Sequence, residues 1–160
     1  MHIESSRFGR MEIDDDAVLH FPDGLIGLAG TRWALVCQNE TSAFFWLHSV
    51  DDATLALPVT MPGVFFSDYE IELSDEDTRR LQLQASDDAE VFCVVRASSR
   101  LEEFTANLRG PIVVNTSRRL GRQIINEDTP YGVREPLFHA VDLDDAPAVE
   151  TDAPMAASGF

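Results

Sequence analysis

Lysine is absent from this 160-residue chain: all 12 basic residues are arginine, set against 28 acids for a net charge of −16. That balance argues against direct nucleic-acid binding, where neutralised phosphates supply most of the affinity. It suits the attraction of a basic protein, as well as plain solubility. Long apolar runs are missing too. None approaches the roughly 18 residues of a spanning helix, so no membrane segment is expected. The polar start, MHIESSRFGRMEIDDD, has no apolar core of the kind a signal peptide needs, which points to the cytoplasm. Cysteine is scarce. Cys37 and Cys93 each sit in an apolar run, as buried reduced thiols do, and no CxxC or Cys/His pairing offers a zinc site. The glycine-rich phosphate-binding fingerprints are also absent, since Gly24, Gly27 and Gly30 have the wrong spacing, so no cofactor is expected. His48-Ser49 and Asp51-Asp52 supply the letters of a catalytic triad. Neighbouring strand residues point to opposite faces, however, so His48 and Ser49 do not readily meet. These absences favour a binding module over an enzyme.

What is present is a set of short strands. The apolar fraction is 44%, enough for one globular domain with a real core. The organising stretch is Phe104 to Ile125, read as a hairpin of Ile112–Val114 against Ile124-Ile125, with a polar loop from Asn115 closing on Gly121. Strand segments are predicted around residues 7–13, 18–21, 33–38, 44–50, 55–60 and 91–97, the last buried on both faces. Residues 39–42 are predicted to turn, and Leu25 to Gly30 reads as a packed loop or a single helical turn. Tyr69, Ile71 and Leu73 alternate with Asp68, Glu70 and Glu72, as in an edge segment with one wet face. Ser74 followed by three acids predicts a short helix from Asp75 to about Leu81. Glu127 to Gly132 is a turn cluster, and Val133 to Val141 is weakly specified. Many short strands with Gly/Pro turns and one or two short helices predict an all-β fold, a small antiparallel barrel-like domain over residues 1–141. Residues 142–160 carry five acids, no bases and many alanines, and are predicted to form a disordered acidic tail.

Two features could form a partner surface. One is the acidic segment from Asp68 to Glu90, with nine acids against Arg79 and Arg80. The other is the aromatic set Phe44, Phe45, Trp46, Phe65, Phe66 and Tyr69. Aromatics ordinarily build core, yet consecutive Phe pairs in strands cannot both face inward. One of Phe44/Phe45 and one of Phe65/Phe66 should point outward unless a loop covers it. An outward aromatic beside an acidic edge fits a basic, partly apolar partner. Asn107 and Asn115 flank the apolar run of the hairpin, where asparagine commonly fixes strand ends through backbone bonds.

The blocks Arg7-Phe8-Gly9 with Glu12, FPDGLIG from Phe21, FFWLHSVDD from Phe44 and FFSDYEIELSDED from Phe65 come in that order. NLRGPIVVN from Asn107 and GRQII from Gly121 complete the series. Together they resemble the flagellar assembly factor FliW family over nearly the whole predicted domain. Ile26, Leu28, Ser67 and Gly110 depart from the family pattern. The resemblance implies a cytoplasmic, barrel-like, non-enzymatic protein with two protein partners. These are flagellin and the RNA-binding translational repressor CsrA, which the family antagonises by binding away from its RNA surface. The partner residues expected are Phe65, Phe66, Asp68, Tyr69, Glu70 and Glu72, with Asn107 and Asn115 second. The alternatives are a secretion chaperone for flagellin alone and a small-ligand-binding β-barrel.

Overall fold

Seven strands close on themselves into a barrel in the computed structural model, which describes residues 1–37, 42–84 and 89–138 and the backbone of 155–156. A separate hairpin comes first, β1 (His2–Ser5) and β2 (Gly9–Glu12). It resolves the expected N-terminal strand region into two strands. The barrel then runs β3 (Val18–His20), β4 (Arg32–Cys37), β5 (Phe44–Ser49), β6 (Ala56–Thr60) and β7 (Ala89–Arg96) as an antiparallel meander. A two-residue β8 (Thr105–Ala106) extends β7 outward. The β9 (Ile112–Asn115) and β10 (Leu120–Gln123) hairpin pairs β9 with β7 and β10 with β3, completing the ring. The β3–β10 contact is parallel, the one parallel pairing among the described strands. Outside the ring, β11 (Glu135–Pro136) joins β8. Residues Met155–Ala156 form β12, a backbone pairing with Val36 and Cys37 of β4 in a stretch expected to be disordered. The remainder of the predicted tail, the turn at 39–41 and the acids at 87–88 lie outside the described residues.

Period-2 alternation sorts each strand between the barrel interior and an outer layer. Trp33 and Leu35 of β4 and Leu47 of β5 point inward, onto Leu19, Phe21, Val59, Phe92, Ile112 and Val114. Ala34 and Val36 point outward, and the β1–β2 hairpin covers them with Ile3 and Met11. Trp46 faces the same outer layer, edge-on to Phe8 and beneath the Arg7 guanidinium. The expectation that β7 is buried on both faces holds. Phe92 sits in the barrel, while Cys93 and Val95 sit in a second cluster with Phe104, Leu108, Leu137 and Phe138. Cys37 and Cys93 are free and buried, and burial pushes the Cys93 thiol up to about 12.

The hairpin departs from its sequence reading. Its second strand is Leu120–Gln123, four residues earlier than Ile124-Ile125, so Gly121 is a strand residue and not a turn residue. Asn115 explains the shift. Its Oδ1 accepts from the Ser117 and Arg118 amides at 3.1 and 3.2 Å, closing the turn at once, and Arg119 takes the left-handed backbone at φ +54°. Its Nδ2 donates to Leu81 O at 2.8 Å and to Gln82 O at 3.3 Å, tying the turn to the end of the helix α1 (Asp75–Arg80). Asn115 is only 2% exposed, so replacing it leaves buried polar groups unpaired. Asn115→Ala is expected to cost about 2 kcal/mol in urea unfolding. A loss below about 0.5 kcal/mol would show that water replaces those bonds.

Helix α1 begins with the anticipated cap. Ser74 Oγ accepts from the Asp77 amide while the Asp77 carboxylate accepts from the Ser74 amide. Asp77 also accepts from Arg122 Nε at 2.9 Å, which fastens the helix to β10. Burial works to raise the Asp77 carboxyl, but the Ser74 and Arg122 bonds outweigh it and the net shift is downward. A carboxyl lowered by folding stabilises the native state above its unfolded value, about 3.9, and that contribution is lost as pH falls through the folded value. Asp77→Asn should therefore be less stable than wild type at pH 7, with the gap closing below about pH 4. Parallel melts across that range check it, and a pH-independent gap would contradict the linkage.

Candidate functional site

The alternating segment Asp68–Leu73 keeps its burial pattern but pairs with no strand. Ile71 and Leu73 instead lie on a cluster of Leu81, Val113 and Ile124. Asp68, Glu70 and Glu72 consequently face solvent. Opposite them runs the loop after β10, and the two segments enclose a cleft of about 590 Å³. Glu127 and Asp128 stand on its far wall with Asn126 and Tyr131, and among the described residues no basic one lines it. Two bonds hold the walls together: Tyr131 Oη donates to Asp68 Oδ1 at 2.7 Å, and Asn126 Nδ2 to Glu70 O at 3.5 Å. Accepting this hydrogen bond, the Asp68 carboxylate raises the Tyr131 phenol above its usual value. Chemically, the cleft is a concentrated anionic receptor for arginine or lysine side chains.

The expected aromatics Phe65, Phe66 and Tyr69 do not line the cleft but pack in the second hydrophobic cluster. Phe65 and Phe66 are half-buried, because the segment carrying Tyr131 to Phe138 folds over them. Phe65 meets Phe138 edge-on at 5.5 Å and Phe66 meets Tyr131 at 5.3 Å. Neither is an open outward aromatic. The Phe44/Phe45 pair divides as strand geometry requires, with Phe45 against Phe92 in the barrel and Phe44 against Phe65 in the outer cluster. Tyr69 packs in the same cluster, donates to Leu108 O at 2.7 Å and is raised by burial.

The two asparagines do not join the acidic cleft. Asn115 is buried in the turn contacts described above. The Asn107 Oδ1 accepts from the Arg109 and Gly110 amides, each at 3.1 Å, shaping the turn into Pro111. Asn107 lines a different concavity of about 680 Å³, a mostly aliphatic groove with arginines at its rim. Glu127 and Asp128 escaped the sequence reading. Their acidity was visible in the turn cluster, but only the barrel's closure brings that turn opposite Asp68.

The triad letters are spent on structure. His48 Nδ1 lies 2.6 Å from the Ser49 carbonyl, so Nδ1 carries the proton, and Ser49 Oγ accepts from the amides of Asp51 and Asp52. Among the described residues no cluster of three or more His, Cys, Asp or Glu could hold a metal ion, and no helix is long and apolar enough to cross a membrane.

The family model for FliW protein matches residues 2–137. The flagellar assembly factor FliW of Magnetococcus marinus is 42% identical over 140 residues, covering 86% of this chain and 85% of the relative. That of Natranaerobius thermophilus is 36% identical over 141 residues, covering 87% and 93%. A crystal structure of the flagellar assembly factor FliW superposes with a TM-score of 0.80 at 29% identity, covering 87% of this chain and 98% of that one. Sequence blocks, barrel closure and superposition agree, and the chain belongs to the FliW family of flagellar assembly factors.

Proposed function

We propose that this chain acts in the cytoplasm as a non-enzymatic regulator that binds two proteins, flagellin and a CsrA-type RNA-binding translational repressor. The observation that carries the reading is the cleft walled by Asp68, Glu70, Glu72, Glu127 and Asp128, with no base lining it among the described residues. A repressor that grips RNA must be basic, and an acidic cleft attracts it, speeds encounter and selects against acidic competitors. While flagellin occupies the factor, the repressor stays on its message. Once flagellin is exported, the freed factor takes up the repressor and flagellin translation resumes. Such a switch requires only that the two partners have competing affinities.

Titrating the purified chain with flagellin and the repressor from the same organism, at two salt concentrations, tests this. The expected result is binding to both, displacement of the repressor by flagellin, and repressor binding that weakens with salt. Binding to flagellin alone would make the chain a secretion chaperone, and binding to neither would refute the proposal.

A further inference from the structure

Five large apolar side chains are exposed among the described residues, and three of them, Ile26, Ile125 and Val133, line the groove of about 680 Å³. Its floor is aliphatic: Leu25, Leu28, Leu57, Val94 and Ile112. The topology creates it. Strand β6 pairs with β7 only at Val59–Val94 and Thr60–Cys93, and the pairing does not continue to Leu57 and Arg96, which both line the groove. The seam between Leu57 and Arg96 is left without strand pairing, and Pro58, which has no N–H, blunts the β6 edge there. The rim is formed by Arg96, Arg109 and Arg134. None of the three has a carboxylate partner among the described residues, although the chain holds 28 acids. Arg109 reaches only the Glu127 carbonyl.

We propose that this groove docks an apolar segment of a partner protein that carries carboxylates along its flanks. Aliphatic side chains fill the floor, and the three rim arginines pair with the carboxylates. A basic partner is excluded by the rim. A second copy is disfavoured, because two chains of net charge −16 repel before short-range contacts form. Ile125 lines both this groove and the acidic cleft, so occupants of the two sites collide there. That collision makes binding of a basic and an acidic partner mutually exclusive without a change of conformation. The inference rests on the reading above only in taking flagellin as the natural source of the segment.

The probe is a labelled synthetic peptide with Leu on one helical face and Glu on the other, beside a twin carrying Lys in place of Glu. The full chain should bind the Glu peptide at least tenfold more tightly than its twin. Val133→Asp and, separately, Arg134→Glu or Arg96→Glu should each weaken the Glu peptide tenfold or more while leaving repressor affinity within twofold. Flagellin should displace the peptide. Equal binding of the two peptides, or binding that survives all three substitutions, would overturn the groove assignment. So would displacement by a synthetic copy of residues 142–160, or self-association in sedimentation, which would hand the groove to the chain's own tail or to a second copy. If flagellin binds the chain yet leaves the peptide in place, flagellin is not the occupant. If flagellin does not bind at all, it is the function proposed above that fails.

Discussion

Gly121→Ala is expected to destabilise the fold by about 3 kcal/mol, at the upper end of ordinary overpacking costs. A Cβ at this position would lie 2.3, 2.4 and 2.8 Å from three ring carbons of Phe21. Phe21 is fully buried, and the backbone opposite it is the barrel wall, so neither side can yield cheaply. Gly121 is not at positive φ, which means the position requires space and not conformational freedom. For a chain of this length the loss corresponds to a melting temperature lower by about 10 °C. Phe21→Leu should cost stability alone but recover part of the Gly121→Ala loss when combined with it, since the two side chains share one volume. Additive losses in a double-mutant cycle, or a single-mutant loss within about 0.5 kcal/mol, would show that the wall relaxes around the extra methyl.

Combined reversal of Asp68, Glu70 and Glu72 to Arg is expected to weaken the repressor about 100-fold at low salt, taking about 1 kcal/mol for each reversed exposed charge. The loss should fall mainly on the association rate and shrink as salt rises, because these carboxylates face solvent and act through a screened field. Flagellin affinity should change far less if its site is the arginine-rimmed groove. Asp68→Asn is the control for structure, since its amide oxygen can still accept from Tyr131 while the charge is gone. Equal repressor affinity and equal salt dependence in wild type and triple variant, measured by stopped-flow association, would remove the cleft from the repressor site.

Local chemistry already wrote much of this structure into the chain. The strands at Arg32–Cys37, Phe44–Ser49 and Ala56–Thr60 follow from β-branched and aromatic runs bounded by turn residues, and the Ser74 cap fixes where the helix starts. The acidity of residues 68–77 and the family blocks are equally properties of the sequence alone. Tertiary structure decided what faces what. Asn115 closes the hairpin turn early through its own bonds with Ser117 and Arg118, and only the fold ties that turn to Leu81 and Gln82, more than 30 positions away. Phe65 and Phe66 were covered, and Glu127 and Asp128 became part of the acidic cleft, because closing a seven-strand ring brings the loop after β10 over the segment after β6. The arginine-rimmed groove is likewise a product of assembly, formed where the β6–β7 pairing ends. Residue types and their short-range periodicity determined the elements and the sign of the surface. Long-range strand pairing determined which side chains share a site, because it joins positions whose separation in the chain carries no periodic signal.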